Sequence, residues 1–342
     1  MKSKRITLFL LLSLLFLSLV GGETKYGFEI WSRYQATFEN ENEFLLTKNQ
    51  IYSPRGYFTV EPKLSDNIKG RFTLDFVSLK DGVEGASVRL KYAYLDFSNL
   101  PIKSSNINFG LIKNYFGTIY DYEYPVYETE LSDKEKVVNS ADYGVSFNGL
   151  LPAGFGFYAF SIMNGEGYKK TDSSVDLNPA FLVNLRLIPV IGLTVGGSVL
   201  YEDKTLLSPE SVDSMISDSL RMAYVGLVKY NFNFLSLSFE YLSNRIDSVI
   251  GAGYSVIGLI DAKRIADIPL ELVARYDSWD KNLDATFDGH KRIIAGTNMN
   301  FFKDNGVIMQ LSYDRTMYED TTKADVNNVI FQMKWKFSNT LQ

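Results

Sequence analysis

Polar and apolar residues alternate one by one along much of the chain, most clearly near its C-terminal end. Between positions 329 and 337, the even positions after Ile330 are polar and the odd ones are apolar: Val329, Phe331, Met333, Trp335 and Phe337. Successive residues of a strand point to opposite faces, so one face of this segment suits lipid and the other suits water. A strand of a soluble sandwich can alternate in the same way, so the interpretation depends on how often the pattern recurs.

The pattern recurs along the whole chain after position 25, with turn-rich breaks between the segments. It predicts strands at 26–39, 53–64, 68–79, 86–98, 106–115, 142–149, 154–164, 179–187, 193–201, 220–230, 234–243, 251–262, 270–279, 291–301, 306–318 and 328–337. The fold class that we predict is all-β: a transmembrane antiparallel up-and-down β-barrel of about 16 strands, with 14 or 18 as alternatives. A large soluble β-sandwich is the competing interpretation.

The breaks between the predicted strands alternate in length. Long breaks are predicted at 40–52, 116–141, 165–178, 202–219, 280–290 and 319–327, and short ones at 65–67, 149–153, 231–233 and 302–305. Two breaks on the long side, 80–85 and 244–250, are themselves short. Short turns at one end and long loops at the other are typical of bacterial barrels with periplasmic turns and extracellular loops.

The first 22 residues have the pattern of a signal peptide. Lys2, Lys4 and Arg5 precede an apolar run over 6–20, and small residues follow at 21–22. That run of about 15 residues is shorter than the roughly 20 that a membrane-spanning helix needs. We therefore expect 1–22 to be removed and 23–342 to form a single barrel domain in the bacterial outer membrane.

Composition agrees with a barrel and removes several function classes. The chain has 22 Tyr and 24 Phe, yet its mean hydropathy is only -0.07, as expected when lipid-facing and water-facing residues alternate. The net charge of -5 argues against nucleic-acid binding, which requires a basic face. The absence of cysteine excludes disulfides and cysteine-ligated metals.

The same alternation predicts which charged side chains point into the barrel. A charge on the lipid face costs about 2–4 kcal/mol at the midplane, so inward orientation is strongly preferred. On the first four strands this reasoning predicts a basic wall that faces the pore, formed by Arg33, Arg55, Arg71, Arg89 and Lys91.

Several short segments resemble the phosphate-selective porin O and P family and the wider group of outer-membrane porins. They are 67–75, 108–117, 140–145 with Gly149, and 163–167; in the second, Tyr115 replaces the usual proline before Phe116. The resemblance implies a sixteen-stranded barrel, usually a homotrimer, with the loop after the fifth strand folded into the lumen.

The loop that this resemblance would place in the lumen, 117–141, is rich in carboxylates. We predict that its acidic constriction residues are Asp121, Glu123, Glu128 and Glu130. Facing a basic wall, they would create a transverse field that orients dipolar solutes. Alternatively, these carboxylates only solvate an external loop and the arginines pair locally. An acidic loop also argues against strict phosphate selectivity.

Other candidate chemistry is weak, and we predict no enzyme activity, catalytic residue, cofactor or metal ligand. His290, the one histidine, has no nucleophile motif nearby and is predicted to be a solvated loop residue. The segment 280–291 begins like a calcium loop but has Ala285 and Lys291 where glycine and glutamate are needed. Gly154 and Gly156 lack the third glycine of a nucleotide-binding turn and are predicted to form a close-packed barrel corner.

The function predicted from sequence is an outer-membrane porin for passive diffusion of small hydrophilic solutes and ions. The alternative is a structural or adhesive surface barrel with a closed lumen. The expected partners are outer-membrane lipid and lipopolysaccharide, the barrel-assembly machinery and the solutes themselves, with no nucleic acid.

Overall fold

The sixteen strands that the sequence predicts are all present and close into one barrel. The computed structural model describes residues 23–40, 44–78, 86–100, 102–170, 178–207, 215–301 and 306–341. Each strand pairs antiparallel with its neighbours in sequence, and the last pairs with the first. The predicted fold class is therefore confirmed, with sixteen strands rather than fourteen or eighteen.

The strands are numbered in chain order. They are β1 (Thr24–Asn40), β2 (Phe44–Pro62), β3 (Ile68–Ser78), β4 (Ala86–Ser98), β5 (Ser105–Lys113), β6 (Ala141–Leu150), β7 (Gly156–Met163), β8 (Ala180–Val190), β9 (Leu193–Leu207), β10 (Met215–Phe232), β11 (Leu235–Ile246), β12 (Val249–Asp261), β13 (Leu270–Asp280), β14 (His290–Asn300), β15 (Val307–Tyr318) and β16 (Asp325–Leu341). Two single-turn helices, α1 (Leu131–Lys134) and α2 (Lys263–Ala266), and a 3-10 turn (Pro152–Gly154) lie in connections.

The alternation of exposure confirms the inside and outside faces of the strands. On β8, Phe181, Val183 and Leu185 are 40%, 51% and 45% exposed, whereas Leu182 and Asn184 between them are buried. The odd apolar positions of 329–337 lie on the outer face in the same way, and Ile330 and Gln332 are buried inside. The outer face is thus an apolar belt suited to lipid. No helix among the described residues is both long and apolar enough to cross a membrane.

Several strands extend beyond the lengths predicted from hydrophobic alternation. β2 begins at Phe44, so most of the predicted break 40–52 is strand, and its polar residues continue the ladder opposite β1. β9 and β10 similarly continue to Leu207 and from Met215, and β16 runs past Phe337 to Leu341. Backbone pairing continues above the apolar belt, where side-chain alternation gives no signal. The predicted signal peptide 1–22 and breaks 80–85 and 302–305 lie outside the described residues.

The predicted close-packed corner at Gly154 and Gly156 is confirmed at Gly156 but not at Gly154, where a Cβ would meet no atom within 4 Å. The chain turns there between β6 and β7, and Gly156 adopts a φ of 154°. A Cβ at Gly156 would overlap the carbonyl oxygen of Arg186 on the neighbouring strand. Only glycine allows this approach of the two backbones.

Candidate functional site

The connection between β5 and β6, residues 114–140, lies inside the barrel. Its residues contact inward side chains of strands far along the chain: Gly117 N donates to Ser198 Oγ on β9 (3.0 Å), and Pro125 O accepts from Asn298 Nδ2 on β14 (2.9 Å). Tyr127 O accepts from Arg33 on β1 (3.0 Å). We call 114–140 the inner loop. Contacts with such widely separated strands are available only from within the lumen.

An apolar cluster holds the first part of the inner loop against one side of the barrel. Phe116 is fully buried and packs in one cluster with inward-facing residues of β8 to β11, among them Leu182, Leu200, Val225 and Leu242. Leu131, Val137 and Val138 of the loop join the same cluster. Burying these side chains removes apolar surface from the water of the lumen and fixes the loop there.

A buried arginine, Arg292 on β14, holds the middle of the inner loop. It makes a two-pronged contact with Asp314 on β15, with both nitrogen–oxygen distances 2.8 Å. It also donates to Glu128 Oε2 (2.7 Å) and to the Tyr127 hydroxyl (2.9 Å). Burial raises the pKa of Glu128, but Arg292 and Lys134 outweigh it and hold that pKa well below its ordinary value. Glu128 is therefore a charged anchor of the loop.

Two further arginines bind the inner loop. Arg186 on β8 pairs with Asp121 (2.6 Å) and also donates to the carbonyl of Gly117. Arg275 on β13 donates to the Thr129 carbonyl (2.6 Å) and to the Tyr122 hydroxyl (3.0 Å). Arginine suits this role because its planar fork can bind a carboxylate and carbonyls at the same time.

Glu130 caps the short helix α1 in the inner loop. Its carboxylate accepts from Ser132 N (2.9 Å) and Asp133 N (3.2 Å), and it is buried. Burial, and then the nearby carboxyl group of Glu240 on β11, raise the pKa of Glu130 to about 8. This residue is a structural part of the loop's contact with the wall.

The predicted arginines of the basic wall all belong to the first four strands, but three of them have partners. Arg33 donates to Gln332 Oε1 on β16 as well as to the inner loop. Arg55 donates to the Tyr124 hydroxyl of the loop (3.2 Å) and lies 3.8 Å from Asp75. Arg71 pairs with Glu61 (3.0 Å). Arg89 is exposed and has no ion pair among the described residues.

Lys91 occupies a β-bulge. Thr73 of β3 faces Tyr92, and the next residue, Leu74, faces Leu90, so Lys91 is the extra residue of β4. In a regular strand Lys91 and Tyr92 would point to opposite faces, but here both are buried, at 6% and 9% exposure. Bulges re-aim side chains in this way and are common next to functional sites. Lys91 Nζ donates to the Tyr57 hydroxyl (2.7 Å).

The four predicted acidic residues separate into three anchors and one residue that faces open space. Asp121 and Glu128 pair with arginines of the wall, and Glu130 caps α1. Glu123 has no ion pair among the described residues and lines a cavity. Asp133, which was not among the four, lines the same cavity and is likewise without an ion pair there.

His290 is not the solvated loop residue that the sequence predicts. It begins β14, its side chain is 13% exposed, and its Nε2 lies 3.3 Å from Glu135 Oε1 of the inner loop. This contact could not be predicted from the sequence because the two residues are far apart along the chain. The described residues contain no group of three or more potential histidine, cysteine or carboxylate ligands placed to hold a metal ion.

The inner loop leaves a cavity of about 1010 Å³ that is lined mostly by β1 to β4 and β16 and in part by the ends of β12 to β15. The cavity opens toward the end of the barrel that carries the chain termini. Charged and aromatic side chains line it, among them Tyr57, Arg71, Lys91, Tyr92, Tyr122, Glu123, Tyr124, Asp133 and Lys334. Its charged groups are Lys and Arg side chains, most of them on the strands, and carboxylates on both the strands and the loop. The walls of the cavity come from distant parts of the chain.

Sequence reasoning missed the residues that fasten the inner loop. Arg186, Arg275 and Arg292 lie on later strands, and only the fold brings them to the loop. One signal was available: at pore-facing positions of β8 to β11 the chain has apolar residues such as Leu182 and Val225. An apolar residue that faces a water-filled lumen requires a cover, which is the inner loop.

A closed sixteen-stranded barrel with an apolar belt and an inward-folded loop after β5 defines the class of fold, that of outer-membrane porins. The chain resembles the outer membrane channel DcaP of Acinetobacter baumannii, with a TM-score of 0.64 and 14% identity over 92% of this chain and 98% of that one. OmpF of Salmonella typhi, solved in complex with daunomycin, gives a TM-score of 0.62 and 15% identity over 93% and 99%.

The trimer form of OmpT, an outer membrane protein of Vibrio cholerae, gives a TM-score of 0.59 and 13% identity over 92% and 99% of the two chains. No protein-family profile and no curated protein sequence matches the chain. At such low identity, the likeness to solved structures concerns the fold.

Proposed function

We propose that the protein is an outer-membrane porin through which small hydrophilic solutes and ions diffuse passively. The observation that carries the proposal is the polar cavity beside β1 to β4, which the inner loop narrows without filling. A barrel with a purely structural role would have no need to hold a loop aside with buried arginines, since burying them is costly unless they are fully paired.

We propose that the inner loop forms the constriction of this pore. Its buried arginine anchors Arg186, Arg275 and Arg292 lie on β8, β13 and β14, whereas most of the strand residues that line the cavity lie on β1 to β4 and β16. The path for solutes is therefore off-centre. Glu123 and Asp133 on the loop and Lys91 on the wall line this path, and none of the three has an ion pair among the described residues. The predicted acidic and basic sets thus contribute fewer charges to the pore than their number suggests, because most of these residues are paired with other residues of the wall or cap the loop helix.

Single-channel conductance of the refolded protein in planar bilayers tests this function. Stable current steps are expected, because water and ions can fill the cavity. Reversal potentials under a KCl gradient should move toward anion preference in a Glu123→Gln, Asp133→Asn double variant and toward cation preference in Lys91→Met. Folded protein that gives no current steps would contradict a pore and favour a closed surface barrel.

We further propose that three copies assemble, as the trimer form of OmpT does. The apolar outer belt would supply the contact between copies. Light scattering of the protein in detergent should then give three chains per particle, and a monomer under all mild detergents tested would contradict this.

A further inference from the structure

The bulge in β4 gives the cavity a lysine that makes no direct ion pair among the described residues. Lys91 lines the cavity and is nine-tenths buried, yet no carboxylate among the described residues lies within ion-pair distance of it. Of the three hydrogen-bond donors on its ammonium group, one goes to the Tyr57 hydroxyl. Neighbouring cations differ: Arg71 pairs with Glu61 at 3.0 Å and Lys334 pairs with Glu29 at 2.9 Å.

Two carboxylates of the inner loop, Glu123 and Asp133, line the same cavity as Lys91 and have no ion pair among the described residues. Asp133, like Asp75 on β3, is near enough to Lys91 to interact with it electrostatically. A simple anion drawn to Lys91 would meet these carboxylates, and a simple cation drawn to them would meet Lys91. A solute that carries both charges would satisfy both sides of the cavity.

Four tyrosine rings line the same cavity as these charges. Tyr57 and Tyr92 on the wall lie beside Lys91, whose Nζ is 4.5 Å and 5.6 Å from their ring centroids. Tyr122 and Tyr124 on the loop pack edge to face at 5.2 Å. All four line the cavity. Aromatic faces bind flat apolar groups, and tyrosine hydroxyls can hydrogen-bond to polar ones at the same time.

From this arrangement we infer that the cavity is a binding site for zwitterionic aromatic solutes, the class to which aromatic amino acids belong. The solute carboxylate accepts from Lys91, its ammonium group faces Asp133 and Glu123, and its ring lies among the four tyrosines. The site selects by three features together, and a solute that lacks any one of them binds less well. This inference rests on the proposed porin function and assigns that pore a preferred solute.

A set of four related compounds tests the inference by current block in single channels. Phenylalanine carries all three features, 3-phenylpropionate lacks the ammonium group, phenethylamine lacks the carboxylate, and alanine lacks the ring. Phenylalanine should block with a dissociation constant at least about tenfold lower than each of the others, since a lost charge-assisted hydrogen bond has about that effect. Equal block by 3-phenylpropionate would overturn the zwitterion requirement, and equal block by alanine would overturn the role of the tyrosines.

Two variants connect the block to the site. Lys91→Met should weaken the block by phenylalanine at least about tenfold and leave that by phenethylamine unchanged. Lys323→Met is the matched control, because Lys323 pairs with Asp320 at the opposite end of the barrel. Phenylalanine should block this variant as strongly as it blocks the wild type. A Lys91→Met channel that binds phenylalanine normally would overturn the inference.

The two proposals fail in different ways. Channels that conduct KCl but are blocked by none of the four compounds overturn the binding site and leave the porin intact. Folded protein without conductance overturns both.

Discussion

Replacing Arg292 with glutamine should release the middle of the inner loop. The guanidinium group holds two carboxylates, Asp314 at 2.8 Å and Glu128 at 2.7 Å, and donates to the Tyr127 hydroxyl at 2.9 Å. Asp314 is fully buried, so its charge would lose its main partner in a place that water hardly reaches. Breaking a buried pair by removing one partner costs about 3–5 kcal/mol, and every 1.4 kcal/mol changes an equilibrium by about tenfold.

The ratio of released to docked loop should therefore rise about 100-fold or more in Arg292→Gln. Limited trypsin digestion of the folded protein in detergent measures this release, because Lys134 lies in α1 and Lys136 just after it. Single-channel records should show more current noise for the same reason. The barrel itself, held by strand pairing around its whole circumference, should keep its heat-dependent shift in gel mobility.

Arg315→Gln is the matched control. Arg315 pairs with Asp325 at 2.8 Å, but both side chains are partly exposed, at 45% and 26%, and a pair of this kind contributes at most about 1 kcal/mol. Trypsin should cut the inner loop of Arg315→Gln as slowly as it cuts that of the wild type. If Arg292→Gln were also cut at the wild-type rate, the buried network would not be what holds the loop, and the reasoning would be refuted.

Three further changes probe other contacts of the inner loop. Phe116→Ala should make the free energy of loop docking less favourable by about 3–5 kcal/mol and speed trypsin cleavage of the loop. Phe109→Ala is the control, because Phe109 lies on the exposed outer face, and it should not speed cleavage. Equal cleavage of the two variants would contradict the apolar anchor. Burial raises the pKa of Glu130 to about 8, so docking of the inner loop should be firmest at acid pH and should weaken as the pH rises toward that value. Glu130→Gln should remove this pH dependence of trypsin cleavage. If the pH profile of cleavage were the same in Glu130→Gln as in the wild type, another group would be responsible for it. His290→Ala should leave open-channel conductance intact and loosen the Glu135 contact, so a loss of conductance would indicate a larger role for the histidine.

The strands could be predicted from sequence because a membrane barrel imposes a strict two-residue period on its wall. β4 was predicted with the bounds that it has, and β13 to within a residue. The start of β2 was missed because its first residues do not alternate: Phe44, Leu45 and Leu46 are all apolar and the four residues 47–50 are all polar. The backbone of these residues still pairs with β1, but backbone pairing alone produces no pattern in the side chains.

The site could be predicted only in part. The alternation indicated that Arg33, Arg55 and Arg71 point inward, but their partners are set by the fold, and two of them bind the loop that they were expected to face across open water. The bulge at Lys91 departs from the two-residue period, so Tyr92 was not predicted to point inward beside it. A local irregularity of one residue cannot be read from a pattern that assumes regular pairing.

Because the buried arginines that fasten the inner loop lie on β8, β13 and β14, the two sides of the barrel should differ in how freely their residues can change. A substitution at one of these arginines disturbs the loop itself, whereas one at a partly exposed lining residue such as Arg71 alters the wall of the open path. Solute preference can therefore drift over evolutionary time, or be redesigned, on the β1–β4 side with little cost to folding. In this barrel, the residues that hold the inner loop are thus separate from the residues that set solute preference.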